Sequence, residues 1–110
     1  MKEIKLITEV GSFAEDKDAA ARLRNLIVRP AIQQHESLVL DFRDVRLATQ
    51  SFIHALVSDV LRKQGEAALS LIEFRGCNQA VRGIIETVVQ YSVEAAESGN
   101  QIELVSTKSR

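Results

Sequence analysis

The sequence predicts an α/β domain, a sandwich of helices on one small, mostly parallel sheet in the order β-α-β-α-β-α. Three observations carry that expectation. Hydrophobic periodicity changes from two to about 3.6 and back along the chain. Leu38 to Phe42 is apolar on both faces apart from Asp41, as a central strand covered on both sides should be. Pro30, Gly65 and Gly76-Cys77-Asn78 fall between the periodic segments, where turns and helix ends belong. Helices between consecutive strands require crossover connections, and these leave the strands parallel.

Lys2 to Val10 opens the chain as a strand, with Ile4, Leu6 and Val10 on one face and Lys5 and Glu9 on the other, although Ile7 interrupts the polar side. Gly11 and Ser12 end it. Glu15, Asp16 and Asp18 suit the first turn of a helix, where negative charge meets the positive end of the dipole. Ala19, Ala20, Leu23, Leu26 and Ile27 then share one helical face. Pro30 cannot donate an N–H and turns Arg29 away from α geometry, so the helix is expected to end near Val28 or kink there.

Leu38 to Phe42 is the second and central strand, and a polar loop from Arg43 to Gln50 leads to the second helix. In that helix Phe52, Ile53, Leu56, Val57, Val60 and Leu61 lie on one side, with Ser51, His54, Ser58 and Arg62 opposite. Gly65 is its C-terminal cap. Ala67 to Phe74 is the third strand. Asn78 caps the third helix, whose Val81, Ile84, Ile85, Val88 and Val89 repeat at three- and four-residue spacing. Beyond Ser98-Gly99-Asn100, Gln101 to Val105 alternates again and can supply a short C-terminal edge strand. Residues 1–105 thus make one domain, and Ser106 to Arg110 a frayed tail.

A chain of 110 residues suits a single domain. Its 45% apolar and 26% charged content matches globular proteins and argues against disorder. Fourteen Lys plus Arg against fifteen Asp plus Glu give a net charge of −1, with no basic cluster, so nucleic acid is not expected as a partner. The first twenty residues hold no apolar block of signal-peptide type, and no stretch approaches the roughly 18 to 20 apolar residues of a membrane span. With one cysteine no internal disulfide forms, which makes the reducing cytoplasm the expected compartment.

The segment LDFRDVRLATQSFIHAL, Leu40 to Leu56, is followed by a strand, a Gly-containing turn and an amphipathic helix. This pattern resembles the small STAS-like domains of unknown function, relatives of the bacterial anti-sigma factor antagonists, over roughly Lys2 to Ala95. Its most specific residues are Leu40-Asp41-Phe42, Val45 and Thr49-Gln50-Ser51-Phe52. In the antagonists a serine at the start of the corresponding helix is phosphorylated by a kinase with a histidine-kinase-like ATPase fold. The resemblance places that role on Ser51. The antagonists have Asp-Ser before the serine and Gly-Leu-Gly after it, where this chain has Thr49-Gln50 and Phe52-Ile53-His54.

From the residues alone, Ser51 has two compatible readings. It is a helix N-cap, or a serine that meets or is modified by a partner, its phosphate stabilised by helix N-terminal amides. His54 follows on the same polar flank, and a surface or partner-facing role outweighs that of a base for Ser51, because no third group to orient it is visible. Cys77 reads as a small buried hydrophobe rather than a reactive thiol, and one Cys with two distant His residues has no zinc spacing. Asp41 anchors the following loop by accepting backbone N–H bonds. Gly76 and Gly83 form no phosphate-cradling motif.

The expected function is therefore a non-enzymatic regulatory interaction module without cofactor or metal, as a monomer or weak homodimer. Its expected partner-binding residues are Asp44, Thr49, Gln50, Ser51, Phe52, His54, Cys77 and Asn78, with Ser51 the candidate phosphorylation site. The resemblance implies a histidine-kinase-like ATPase or serine kinase as partner. The alternative is a small-ligand-binding or hydrolytic α/β protein using Ser51, His54 and Cys77, which would require those three in one pocket at the carboxyl edge of the sheet.

Overall fold

The computed structural model describes residues 1–109, and the side chains of residues 1–97. A three-stranded sheet forms from β1 (Lys2–Lys5), β3 (Leu38–Asp41) and β5 (Ile72–Arg75), with β3 in the middle and all strands parallel. The register sets Ile4 beside Leu40 and Phe74, and Glu3 beside Val39 and Glu73. Neighbours in register point to the same face. One face therefore carries Ile4, Leu38, Leu40, Ile72 and Phe74 into the core, while the other carries Glu3, Lys5, Val39, Asp41, Glu73 and Arg75.

β3 is buried on both faces as expected, but its second face lies outside the apolar core. Val39 is buried there among charged neighbours: Arg75 pairs with Glu73 at 3.0 Å and reaches Glu3 at 4.0 Å. Long charged side chains cover apolar surface with their stems while the heads stay in water. A run of apolar residues says that a strand is buried, not what buries it.

β1 is shorter than its alternation suggested. Leu6–Val10 forms a single helical turn, α1, because Leu6, Ile7 and Val10 sit at i, i+1 and i+4 and all turn toward the core. Two-residue strands then appear that no periodicity could announce, β2 (Phe13–Ala14) and β4 (Leu47–Ala48), paired parallel to each other beside the main sheet.

The next helix, α2, spans residues 17–33 as an α segment Lys17–Leu23, a π turn Arg24–Val28 and an α segment Arg29–Gln33. It neither stops at Val28 nor loses α geometry at Arg29, whose φ is −61° and ψ −46°. In the π turn the Arg29 N–H bonds to the Arg24 carbonyl five residues back. Pro30 then occupies the first turn of the segment that follows, where a missing N–H costs little. The wider turn also rotates the apolar face, so that Leu26 is 67% exposed although it shares a face with Leu23 at ideal spacing. Burial of Val28, Ala31 and Ile32 holds the continuation in place.

α3 spans residues 50–64 and repeats the device, with α segments Gln50–Ile53 and Asp59–Gln64 around a π turn at His54–Ser58. The two π turns pack on each other, and the Arg24 guanidinium donates to the Ala55 carbonyl at 3.3 Å. Arg29 bridges to Asp59 at 2.7 Å, tying α2 to α3 a second time. Gly65, at φ 58°, ends α3 as expected. Ala67 to Leu69 is helical rather than strand, in α4 (Glu66–Leu69), since Ala-Ala-Leu favours helix over strand.

The last helix, α5 (Gln79–Ser109), lies along α3. It replaces the edge strand expected over Gln101 to Val105 and takes up the tail as far as Ser109; Arg110 lies outside the described residues. Extending a helix gains one hydrogen bond per residue fixed. The core joins the inner sheet face to α2, α3 and α5 through Leu38, Leu40, Leu23, Ile32, Phe52, Leu56, Val81 and Val88.

Candidate functional site

The central strand delivers Asp41 to the carboxyl edge of the sheet, with a side chain only 3% exposed. Its carboxylate accepts the Arg43 backbone N–H at 2.9 Å and the Arg43 guanidinium at 2.7 Å through Nη2. Hydrogen bonds from the Arg43 side chain, and then from its backbone, hold the Asp41 carboxyl at about 2, below the ordinary 3.8. Asp41 is thus the loop anchor expected of it. The clamp shapes the next strand end too, because Arg43 lies over Gly76, where φ is 71° and a Cβ would collide with the Arg43 Cγ. Asp44 is exposed beside it at φ 69°, and with Lys5, Ile7, Thr8, Asp41 and Arg43 borders an open depression of about 350 Å³.

Asn78 joins the two loops. Its Oδ1 accepts the Val81 N–H at 2.8 Å, so it caps α5 as predicted, while its Nδ2 donates to the Arg46 carbonyl at 2.9 Å. One side chain therefore fixes both the start of α5 and the path of the chain into β4.

At the start of α3 the cap is Thr49 rather than Ser51. The Thr49 Oγ1 accepts the Phe52 N–H at 3.1 Å. Two neighbouring hydroxyl residues made the N-cap ambiguous in sequence, and extended geometry at Thr49 (φ −83°, ψ 156°) decides it. Ser51 is the second residue of the helix, exposed, and its hydroxyl makes no side-chain hydrogen bond among the described residues. Phe52 is no contact residue: it is fully buried in the core, on the face opposite Ser51. Cys77 is half-buried against the core, and burial pushes its thiol up, which opposes a reactive thiolate.

Gln50, Ser51 and His54 come together with Lys17, Ala55 and Tyr91 around an open groove of about 570 Å³. His54 Nδ1 lies 2.8 Å from the Tyr91 hydroxyl, with the rings 5.9 Å apart and tilted by 36°. Tyr91 is thus the orienting group for His54 that could not be seen in sequence, since 37 residues separate them. Cys77 does not line this groove, so Ser51, His54 and Cys77 do not form one pocket.

An adjoining groove of about 390 Å³ is bordered by Phe13, Ala14, Glu15, Leu47, Ala48 and Thr49. Phe13 and Leu47 are direct cross-strand neighbours on β2 and β4, and are 52% and 55% exposed. Side by side they make an exposed apolar pair, which points to an interaction surface more than a scattered single residue does, and Thr49 on the same groove leads in the chain to Gln50 and Ser51. Sequence reasoning missed Phe13, Lys17, Leu47 and Tyr91. Only the positions of Phe13 and Leu47 in otherwise polar loops could have signalled them.

Among the described residues no group of three His, Cys, Asp or Glu side chains is placed to hold a metal ion, and no helix is long and apolar enough to cross a membrane. A family model described as a STAS-like domain of unknown function (DUF4325) matches residues 19–82. No curated protein and no solved structure matches the chain.

Proposed function

Since this chain belongs to the family of STAS-like domains of unknown function, we propose that it is a non-enzymatic cytoplasmic module, a monomer or weak homodimer, that regulates by docking a protein partner. The partner, as for the anti-sigma factor antagonists it resembles, is a histidine-kinase-like ATPase or serine kinase. Ser51 is the switch. The observation that carries this reading is that the exposed Phe13–Leu47 pair borders a groove with Thr49, the residue that leads directly into Gln50 and Ser51, which line a second groove with His54.

A docking face needs an apolar centre that excludes water and polar neighbours that set register. Phe13 and Leu47 supply the first, and the start of α3 the second. A phosphate on Ser51 would place nearly two negative charges at the margin of that patch and oppose an acidic partner surface. Asp44 and Asn78 support the face from the neighbouring loop, with Asn78 holding Arg46 just ahead of Leu47. The hydrolytic alternative loses support from the exclusion of Cys77 from the groove that holds Ser51 and His54.

The test is a pull-down with mass spectrometry on wild type, Ser51→Asp and Ser51→Ala. Recovery of a partner by wild type and Ser51→Ala, its loss with Ser51→Asp, and a one-phosphate mass increase on the Ser51 peptide in the presence of ATP and the recovered partner are expected. Equal recovery by all three with no phosphate found would refute the switch.

A further inference from the structure

The groove beside Ser51 is built from three helices, α2, α3 and α5, and its polar members are a lysine, a glutamine, a serine, a histidine and a tyrosine. We propose that Lys17 and His54 form a built-in receptor for a phosphate carried by Ser51, with Tyr91 as the positioning residue for His54. The proposal rests on Ser51 being a modifiable residue, but concerns where the phosphate goes once it is there.

Lys17 opens α2 and borders the same groove as Ser51 and His54. Among the described residues it has no ion-pair partner. Of the two acids that flank it in sequence, Asp16 caps the helix, its Oδ1 accepting the Asp18 and Ala19 N–H groups at 2.9 and 3.2 Å, and neither Asp16 nor Asp18 forms an ion pair with Lys17 among the described residues. The cations of α2 that reach α3, Arg24 and Arg29, are committed to the Ala55 carbonyl and to Asp59. The lysine is therefore available to an anion introduced into the groove.

His54 gains its role from Tyr91. The Tyr91 hydroxyl and His54 Nδ1 share a hydrogen bond of 2.8 Å whose direction follows the ring's tautomer; with the hydroxyl as donor, or with the ring protonated, Nε2 carries a proton and is a donor. Ser51 and His54 are three residues apart at the start of α3 and line the same groove. A phosphate on the Ser51 oxygen then meets one ammonium and one imidazole N–H, and a dianion there favours protonation of the ring. The consequence is a charge folded onto the protein's own surface, which removes Lys17 and His54 from contact with a partner as well as adding a negative group.

The test uses the full chain with phosphoserine installed at position 51 during synthesis, in wild-type, Lys17→Gln, His54→Gln and Tyr91→Phe backgrounds. Phosphorus NMR reads the second ionisation of the phosphate, and proton–carbon NMR reads the His54 ring. A received phosphate should titrate about half a unit or more below the ordinary value near 6, and the His54 ring about as far above its value in the unphosphorylated chain. Lys17→Gln and His54→Gln should each return part of the phosphate shift, and Tyr91→Phe should reduce the histidine shift while leaving that of Lys17 origin. An unshifted phosphate in all four backgrounds, or a shift indifferent to Lys17 and His54, would overturn the receptor. Because the phosphate is installed chemically, this result stands apart from whether a kinase modifies Ser51 or a partner leaves when it does.

Discussion

Thr49 and Ser51 separate two roles that a sequence cannot divide between neighbouring hydroxyl residues. Thr49 spends its oxygen on the Phe52 N–H, which leaves Ser51 with no structural duty in the helix. Thr49→Ala should then cost about 1 kcal/mol of folding stability, the usual worth of an N-cap, and Ser51→Ala no more than about 0.5 kcal/mol. Urea denaturation of the two variants measures this directly; an equal loss would return the cap to Ser51. Asp41 gives a prediction in pH. Its folded-state carboxyl is held at about 2, so the unfolded chain binds the proton first, and the stabilisation is complete above the unfolded value near 3.8 and lost as pH falls through 2. Urea midpoints between pH 4 and 2 should therefore fall less steeply in Asp41→Asn than in wild type. Asp41 and Asn78 were readable because their hydrogen bonds are set by nearby chain direction. Tyr91 was not, because its partner His54 is brought to it only by the packing of α5 on α3.

Between elements, the most specific contact is buried. Ser58 in the π turn of α3 and Ser92 in α5 share a hydrogen bond of 2.9 Å, and both residues are at most 1% exposed. Removing one hydroxyl strands the other in the core at a cost of roughly 1–3 kcal/mol, while replacing both relieves that penalty. The double variant Ser58→Ala/Ser92→Ala should accordingly be more stable than the sum of the single losses implies, a coupling that a double-mutant cycle in urea reads. At the other sheet end, Gly76→Ala should destabilise by about 1–3 kcal/mol, since the left-handed backbone and the Arg43 side chain both oppose a Cβ. The strands and long helices were legible where five or more residues kept one period. The π turns, the single turn of α1 and the two-residue β2 and β4 were not, for a period cannot be recognised over so few residues. Missing β2 and β4 meant missing the exposed pair they create.

Across the whole molecule, helices cover one face of the sheet and charged side chains the other, and the apolar patch of Phe13 and Leu47 lies apart from both beside the start of α3. The α/β class and parallel order followed from the alternation of periods, whereas the one-sided covering depended on which neighbours lie beside Val39, information held only in the register. The docking proposed above is accordingly a matter of place: the proposed partner would meet Phe13, Leu47, Gln50 and Ser51, and not the far reaches of α3 or α5. Placing a photo-crosslinking amino acid singly at Leu47, Gln50, Arg62 or Glu86, all exposed positions, and irradiating living cells of the native host tests it most directly. A discrete protein adduct is expected from Leu47 and Gln50, lost when Ser51→Asp is added, and none from Arg62 or Glu86. Adducts from Arg62 or Glu86 with none from Leu47 and Gln50, or adducts indifferent to Ser51→Asp, would contradict it.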